Sequence, residues 1–436
     1  MDIRRLQEVT SELNRTTSDD IVGVGVGYKE KDGKTTNEKC ITFTVIRKKP
    51  LSEIPENERI PSQIEIDGEI FNTDVTEGTY RLRSYIDCSS SDPDFYTWQS
   101  TPPGNRNKIR PLQGGISLSN LSQSSLYFST GTLGFIAVDN DTNSLVGVTN
   151  NHVIINDAFF ASNRLDTIYT SAVTNVADNI TTQPNESLSR SLLNRIGVVK
   201  KYQPIVPTTD GFNLVDTACL ALEQIDGDGN TVISESDSWK QYGISGMTSA
   251  PRFATTAEID AALQEPNRVF YGTGRTTGDK GEGITKLYCT SYGTSTSLTY
   301  ERQGQDVTCY MNDSFELRAK GPDTPEGDWC EYPSHFGDSG SAVLTVIDGE
   351  YVIIGLLFAG RAIIFTNVTV ITVCCRIDHV AQALNISAWD GSLSNVSFSD
   401  TANSETIIIE GKSNQKTITV NGKQYWQVGV TSESPT

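Results

Sequence analysis

The run Ser334-His335-Phe336-Gly337-Asp338-Ser339-Gly340-Ser341-Ala342 passes directly into an apolar strand that begins at Val343. A chain can satisfy this pattern only with a sharp turn feeding a buried strand, since Gly337 and Gly340 tolerate backbone angles that other residues avoid. Such a turn presents the Ser339 hydroxyl. It can also aim the amides of Gly337 and Ser339 at one point, where a negatively charged oxygen could be held. Ser339 is therefore the candidate nucleophile.

A serine hydroxyl attacks only with a base beside it. The chain has three histidines, His152, His335 and His379. His152 follows Leu145-Val146-Gly147-Val148-Thr149-Asn150-Asn151, where a strand rich in β-branched residues ends. Further on, Asn213-Leu214-Val215-Asp216-Thr217-Ala218-Cys219-Leu220 sets one carboxylate in an apolar run, and a buried acid there needs a partner such as an imidazole N–H. Asp210 is a nearby rival for that role. The order His152, Asp216, Ser339 is one of the known orders of a serine triad. His379 lies after Ser339, as in the α/β-hydrolases, but those want Gly-x-Ser-x-Gly and a βαβ pattern, whereas position 341 is Ser and the segments alternate strand with turn. His335 is either a loop side chain or part of a specificity pocket.

On these residues the chain resembles the trypsin-like, chymotrypsin-fold serine peptidases. Thr149 to Val153, Val215-Asp216-Thr217-Ala218 and Gly337 to Ala342 carry the likeness. The bacterial branch that also includes the plant narrow-leaf proteins is the most similar, through Gly23-Val24-Gly25-Val26-Gly27-Tyr28, Arg110-Pro111-Leu112-Gln113-Gly114-Gly115, Gly274-Arg275-Thr276-Thr277-Gly278 and Gly355-Leu356-Leu357-Phe358-Ala359-Gly360. The resemblance covers most of residues 20 to 385. It implies a mainly β fold, a chymotrypsin-like double β-barrel, with catalytic His152, Asp216 and Ser339 and an oxyanion hole at Gly337 and Ser339. It also implies a pocket floor about six residues before the nucleophile, near Pro333, and a substrate backbone lying along Phe358, Ala359 and Gly360. No acid stands near Pro333, which argues against a preference for Lys or Arg.

Composition narrows the function classes. With 54 acidic against 35 basic residues the formal charge is -19, a surface that repels phosphate backbones and anionic lipid, so neither nucleic acid nor membrane is an expected partner. No apolar run reaches membrane-spanning length and the first residues lack a secretory pattern, which predicts a cytoplasmic protein. The eight cysteines show no C-x-x-C spacing and read as buried thiols, Cys374-Cys375 as part of a strand. Asp226-Gly227-Asp228-Gly229-Asn230 opens like a calcium loop but lacks the downstream glutamate, so turn chemistry is the better account. Gly23-x-Gly25-x-Gly27 has no helix after it and reads as a strand packed closely by a neighbour, not a nucleotide loop. No cofactor or metal is expected, and the oligomeric state stays open.

Four units follow in order: an α+β domain over 1–82, a linker over 83–110, a peptidase domain over 111–386 with barrels at about 111–230 and 265–377, and a β extension over 387–436. The first opens with a helix over residues 2 to 17, from apolar positions at Ile3, Leu6, Val9 and Leu13. Hairpins are predicted at Asp32-Gly33, Asp67-Gly68 and Asn421-Gly422. Strands are predicted over 269–290, 296–310, 315–320, 342–347 and 351–359, and a helix over 378–384. The stretch 156–191 either covers the cleft or simply links strands. Arg275-Thr276-Thr277 reads foremost as a structural turn. The function expected is a serine endopeptidase acting through an acyl-enzyme. The alternative is a catalytically silent peptide-binding or scaffolding protein on the same fold, and residues 1 to 100 could restrain the peptidase.

Overall fold

The computed structural model describes residues 3–16, 20–31, 34–82, 85–86, 104–120, 129–155, 180–182, 195–209, 211–226, 229–277, 285–302, 305–319, 333–362, 369–398, 407–408, 417–420 and 423–426. Several expectations lie outside these residues: the Asp32-Gly33 and Asn421-Gly422 turns, most of the 83–110 linker and of 156–191, Asp210, Gly278, Cys88 and Cys330.

The chain is mainly β. Before position 83 run β1 (Ile21–Lys31), β2 (Lys34–Val45), β3 (Gln63–Ile66), β4 (Glu69–Glu77) and β5 (Thr79–Leu82). Next come β6 (Tyr85–Ile86), β7 (Ile116–Asn120), β8 (Ser129–Leu133), β9 (Phe135–Asp139), β10 (Ser144–Thr149), β11 (Ile180–Thr182), β12 (Arg195–Tyr202) and β13 (Ala218–Leu222). The later half supplies β14 (Arg252–Phe253), β15 (Phe270–Gly272), β16 (Thr285–Arg302), β17 (Gln305–Arg318), β18 (Ala342–Ile347), β19 (Glu350–Ala362) and β20 (Thr369–Arg376). The described strands close with β21 (Ile386–Ala388), β22 (Ile407–Ile408), β23 (Thr417–Val420) and β24 (Lys423–Trp426).

Two large sheets result. One, of ten strands, runs β21-β9-β10-β13-β12-β11-β7-β8-β6, with β22 parallel to β12. The other, of twelve, runs β15-β18-β19-β20-β17-β16-β1-β2-β4-β3, with β5 and β14 on β19. The strands before position 83 thus join the sheet of the later half through β1 on β16. The N-terminal helix Ile3–Thr16 docks on the same strand, Thr10 Oγ1 donating to Gly293 O at 2.8 Å and Asn14 Nδ2 to Ser295 Oγ at 3.0 Å. The close packing that the glycines of β1 called for is present: a Cβ on Gly23 would stand 2.7 Å from the Tyr80 hydroxyl.

Three expectations are corrected. The strand drawn over 269–290 is two, β15 and the start of β16, because residues 273–277 leave the ladder. The strand drawn over 296–310 is two strands, because β16 and β17 form a hairpin whose last pair is Arg302 with Gln305. The break drawn between 310 and 315 is instead a bulge inside β17, where Asp313 takes φ +53° and the register slips between Met311 and Ser314. Asn312-Asp313 has the composition of a turn, and the ladder on both sides overrides it.

Two apolar cores follow from this layout. Leu112, Ile116, Leu133, Leu145, Ile154 and Leu220 fill the ten-stranded sheet. A larger cluster links Phe135, Val146, Val148 and Cys219 of that sheet to Leu344, Leu356, Phe315 and Cys375 of the other. The six cysteines among the described residues, Cys374 and Cys375 on β20 included, are buried free thiols. No described helix is long and apolar enough to cross a membrane.

Candidate active site

The seam between the sheets is where the sequence candidates meet. β10 ends at Thr149, and the single turn Asn151–Ile154 that follows carries His152 out of the ladder. Asp216 stands just before β13, whose first pair, Thr149 with Ala218, fixes its distance from His152. Asn150 Nδ2 tightens this corner by donating to Asp216 O at 2.6 Å. Ser339 arrives from the other sheet, on the turn ahead of β18.

His152 Nδ1 lies 2.6 Å from Asp216 Oδ2, and its Nε2 lies 2.8 Å from Ser339 Oγ. Asp216 and Ser339 are fully buried and the His152 side chain nearly so. A carboxylate only accepts, so Nδ1 is the donor to Asp216, and Nε2 is left as the acceptor that faces the hydroxyl. The second carboxylate oxygen, Oδ1, takes the His152 backbone N–H at 3.2 Å.

Sequence reasoning missed Tyr300. Its hydroxyl donates to Asp216 Oδ2 at 2.7 Å, and its ring stands edge-on to the imidazole, 6.4 Å between centroids. Burial first, then the Asp216 charge, raise the phenol far above its ordinary range and keep it a neutral donor. Nothing in an alternating strand sets such a tyrosine apart from core.

The turn that carries Ser339 has its own scaffold. Gly337 and Gly340 sit at φ +99° and +93°, angles that a side chain would resist. Buried Asp338 holds the turn to its surroundings: Oδ1 accepts from Thr276 N at 2.8 Å and Thr277 N at 3.0 Å, and Oδ2 from His335 N at 2.7 Å. The Arg275-Thr276-Thr277 segment thus anchors the turn. Asp338 N, Gly340 N and Ser341 N donate to backbone carbonyls, whereas among the described residues Gly337 N and Ser339 N donate to none. Ser339 Oγ also lies 3.2 Å from Phe358 O.

The remaining candidates are placed as follows. Pro333 is buried at the approach to the turn. Phe358, Ala359 and Gly360 are buried in β19, which runs past Ser339 at Phe358. His335 is half-buried against the Phe336 ring, and His379 meets Asp313 at 2.6 Å, away from Ser339. Asp226 is claimed by Lys108 at 3.0 Å, Arg110 at 2.9 Å and Asn230 N at 2.9 Å. Its burial would raise its pKa, but those donors outweigh it and hold the carboxyl at about 2. The described residues contain no cluster of three or more potential metal ligands.

No family model matches the chain, and no curated protein does. Among solved structures it is similar to a glutamic-acid-specific serine protease described as using a histidine triad in substrate binding, at 12% identity over 64% of this chain and all of that one, with a TM-score of 0.34. It is also similar to a Cellulomonas bogoriensis chymotrypsin, at 14% identity over 64% of this chain and 98% of that one, TM-score 0.32. Thermobifida fusca protease A is similar at 10% identity over 64% and 98%, TM-score 0.33.

Proposed function

We propose that the chain is a serine endopeptidase that cleaves peptide bonds through Ser339, His152 and Asp216. The observation that carries this reading is one imidazole within hydrogen-bond reach of a buried carboxylate at 2.6 Å and of a buried serine hydroxyl at 2.8 Å. Asp216 fixes the tautomer, Nε2 takes the Ser339 proton as Oγ attacks the carbonyl carbon, and the imidazolium returns that proton to the leaving amine. The amides of Gly337 and Ser339 are the donors for the oxyanion, since their neighbours in the turn are already engaged. Water then attacks the acyl-enzyme with His152 again as base.

On this reading the ten- and twelve-stranded sheets take the place of the two barrels, and a substrate pairs along Ala359 and Gly360 with Phe358 O beside the nucleophile. The narrower kinship with the branch that includes the narrow-leaf proteins rests on the motif set alone. Pro333 at the pocket floor brings no charge, so cleavage after Lys or Arg is not expected. A peptide-library profile dominated by those residues would overturn that assignment.

Ser339→Ala should abolish both fluorophosphonate labelling and peptide cleavage while thermal melting stays unchanged, and labelling that persists refutes the assignment. A silent peptide-binding protein, the second reading, would show no labelling in the unaltered chain either.

A further inference from the structure

The edge of β19 that faces the nucleophile is filled along its length. β18 occupies it as far as the pair of Ala342 with Leu356. The nucleophile turn takes the next positions, Leu357 N donating to Ser341 O at 2.9 Å, Gly340 N donating to Leu357 O at 2.8 Å, and Phe358 O lying 3.2 Å from Ser339 Oγ. At the very next residue β5 enters, antiparallel, pairing Leu82 with Ala359, Arg81 with Gly360, Tyr80 with Arg361 and Thr79 with Ala362. An extended segment of this chain therefore lies where the reading above seats the backbone of a substrate.

The other side of the nucleophile is also taken. Tyr85 and Ile86 of β6 pair with Thr130 and Ser129 on the ten-stranded sheet. Thr130 is two residues from Thr132, whose N–H donates to Ser339 O at 2.7 Å. Leu82 and Tyr85 are three residues apart, a span of at most about 11 Å. The consecutive strands β5 and β6 thus belong to different sheets, β5 on β19 and β6 on β8, each next to a strand that bonds to the Ser339 turn.

β5 is also held from below. The Tyr80 hydroxyl donates to Glu316 Oε1 at 2.6 Å, lies 3.0 Å from Thr44 Oγ1, and packs over Gly23. These anchors sit on β17, β2 and β1, so β17 and the N-terminal strands together form the seat for β5. That gives the expected restraint by the first hundred residues a physical form.

We propose that in the intact chain the peptide-docking edge of β19 is occupied by the chain's own strand β5, which closes the site to extended peptides until β5 is displaced. The inference rests on the peptidase reading above. A small reagent that needs no strand pairing still reaches Ser339, whereas a polypeptide must first take the edge from β5. The apparent rate on a polypeptide is then scaled by the fraction of molecules in which the edge is free.

The test uses the full chain with proline at either of two adjacent positions, Arg81→Pro and Leu82→Pro. Bonds in an antiparallel ladder alternate, so one of the two removes a donor to β19. Arg81→Ala and Leu82→Ala keep the backbone N–H and serve as controls. Diisopropyl fluorophosphate should label all five proteins at similar rates. Casein cleavage should rise about tenfold or more in at least one proline variant, as expected when the edge is free about a tenth of the time or less in the unaltered chain, and should stay at the starting level in the alanine variants. Labelling with no gain in casein cleavage in either proline variant, or a gain that the alanine variants share, overturns the inference and leaves the peptidase reading standing. No labelling of any of the five overturns the peptidase reading and the inference with it. Should the melting profile show that the prolines unfold the chain, Tyr80→Phe, which loses only the hydroxyl that meets Glu316, takes their place. Casein cleavage about threefold higher with unchanged labelling then supports the proposal, and no change overturns it.

Discussion

Asp216 Oδ2 accepts from His152 Nδ1 and from the Tyr300 hydroxyl, so two donors share one oxygen of a fully buried carboxylate. Tyr300 is on this account a positioning residue: it fixes the acid that fixes the base. Tyr300→Phe should lower kcat about tenfold to a hundredfold with little change in KM, the worth of one hydrogen bond to a charged group. A steady-state comparison on a peptide substrate checks this, and a change confined to KM would contradict it. Asp216→Asn should cost about 10⁴-fold in kcat with the fold intact, because the amide favours the wrong tautomer of His152. His152, Asp216 and Ser339 were legible in the sequence because a lone histidine after a strand, a lone acid in an apolar run and a serine between glycines are each uncommon. Tyr300 was not legible, since its chemistry comes from a neighbour 84 positions away and its own strand looks like any other.

At the scale of elements, two buried carboxylates tie strands that the chain brings together late. Asp338 joins the Ser339 turn to the amides of Thr276 and Thr277 and also accepts from His335 N within the turn. Asp338→Asn turns one acceptor into a donor facing an N–H, so it should cost about 1–3 kcal/mol and slow fluorophosphonate labelling; chemical denaturation and labelling kinetics read the two effects. On the far side of the ten-stranded sheet, Asp139 at the end of β9 pairs with Lys200 at 2.7 Å and with Lys201, and Lys201 also reaches Asp141 at 2.6 Å. Asp139→Asn leaves fully buried Lys201 without its buried counter-charge and should destabilise the fold by about 3–5 kcal/mol, measured as a shift of the urea midpoint. The strands themselves were largely readable from alternation and turn composition. The β16–β17 hairpin was not, because Asn312-Asp313 signals a turn as strongly as the true reversal does, and only the partner strand decides. The seating of β5 on β19 was equally hidden, since it joins residues more than 270 positions apart.

For the whole molecule, acid should act through carboxyls whose folded pKa is depressed. Burial pushes Asp139, Asp226 and Asp378 up, but hydrogen bonds and cations outweigh it and leave all three lowered, Asp226 to about 2. A depressed folded pKa gives stability that is present above the ordinary carboxyl range and is lost as pH falls through it. The urea midpoint should therefore drop between about pH 4 and pH 2, and Asp226→Asn should flatten part of that drop; a midpoint that rises on acidification would contradict the pairing described. The mainly β class was legible from the spacing of short apolar runs and turns. What the sequence left open was how the parts interlock: that the strands before position 83 enter the later sheet through β1 on β16 and β5 on β19, and that the two large sheets meet at Ser339.

The central claim is that Ser339 is a nucleophile activated by His152, and the most direct measurement is intact-mass and peptide mapping after diisopropyl fluorophosphate treatment of the full chain and of His152→Ala. The account expects one adduct, on Ser339, formed by the unaltered chain and slowed by at least about a thousandfold in the histidine variant. An adduct elsewhere, none at all, or equal labelling of both proteins would contradict it.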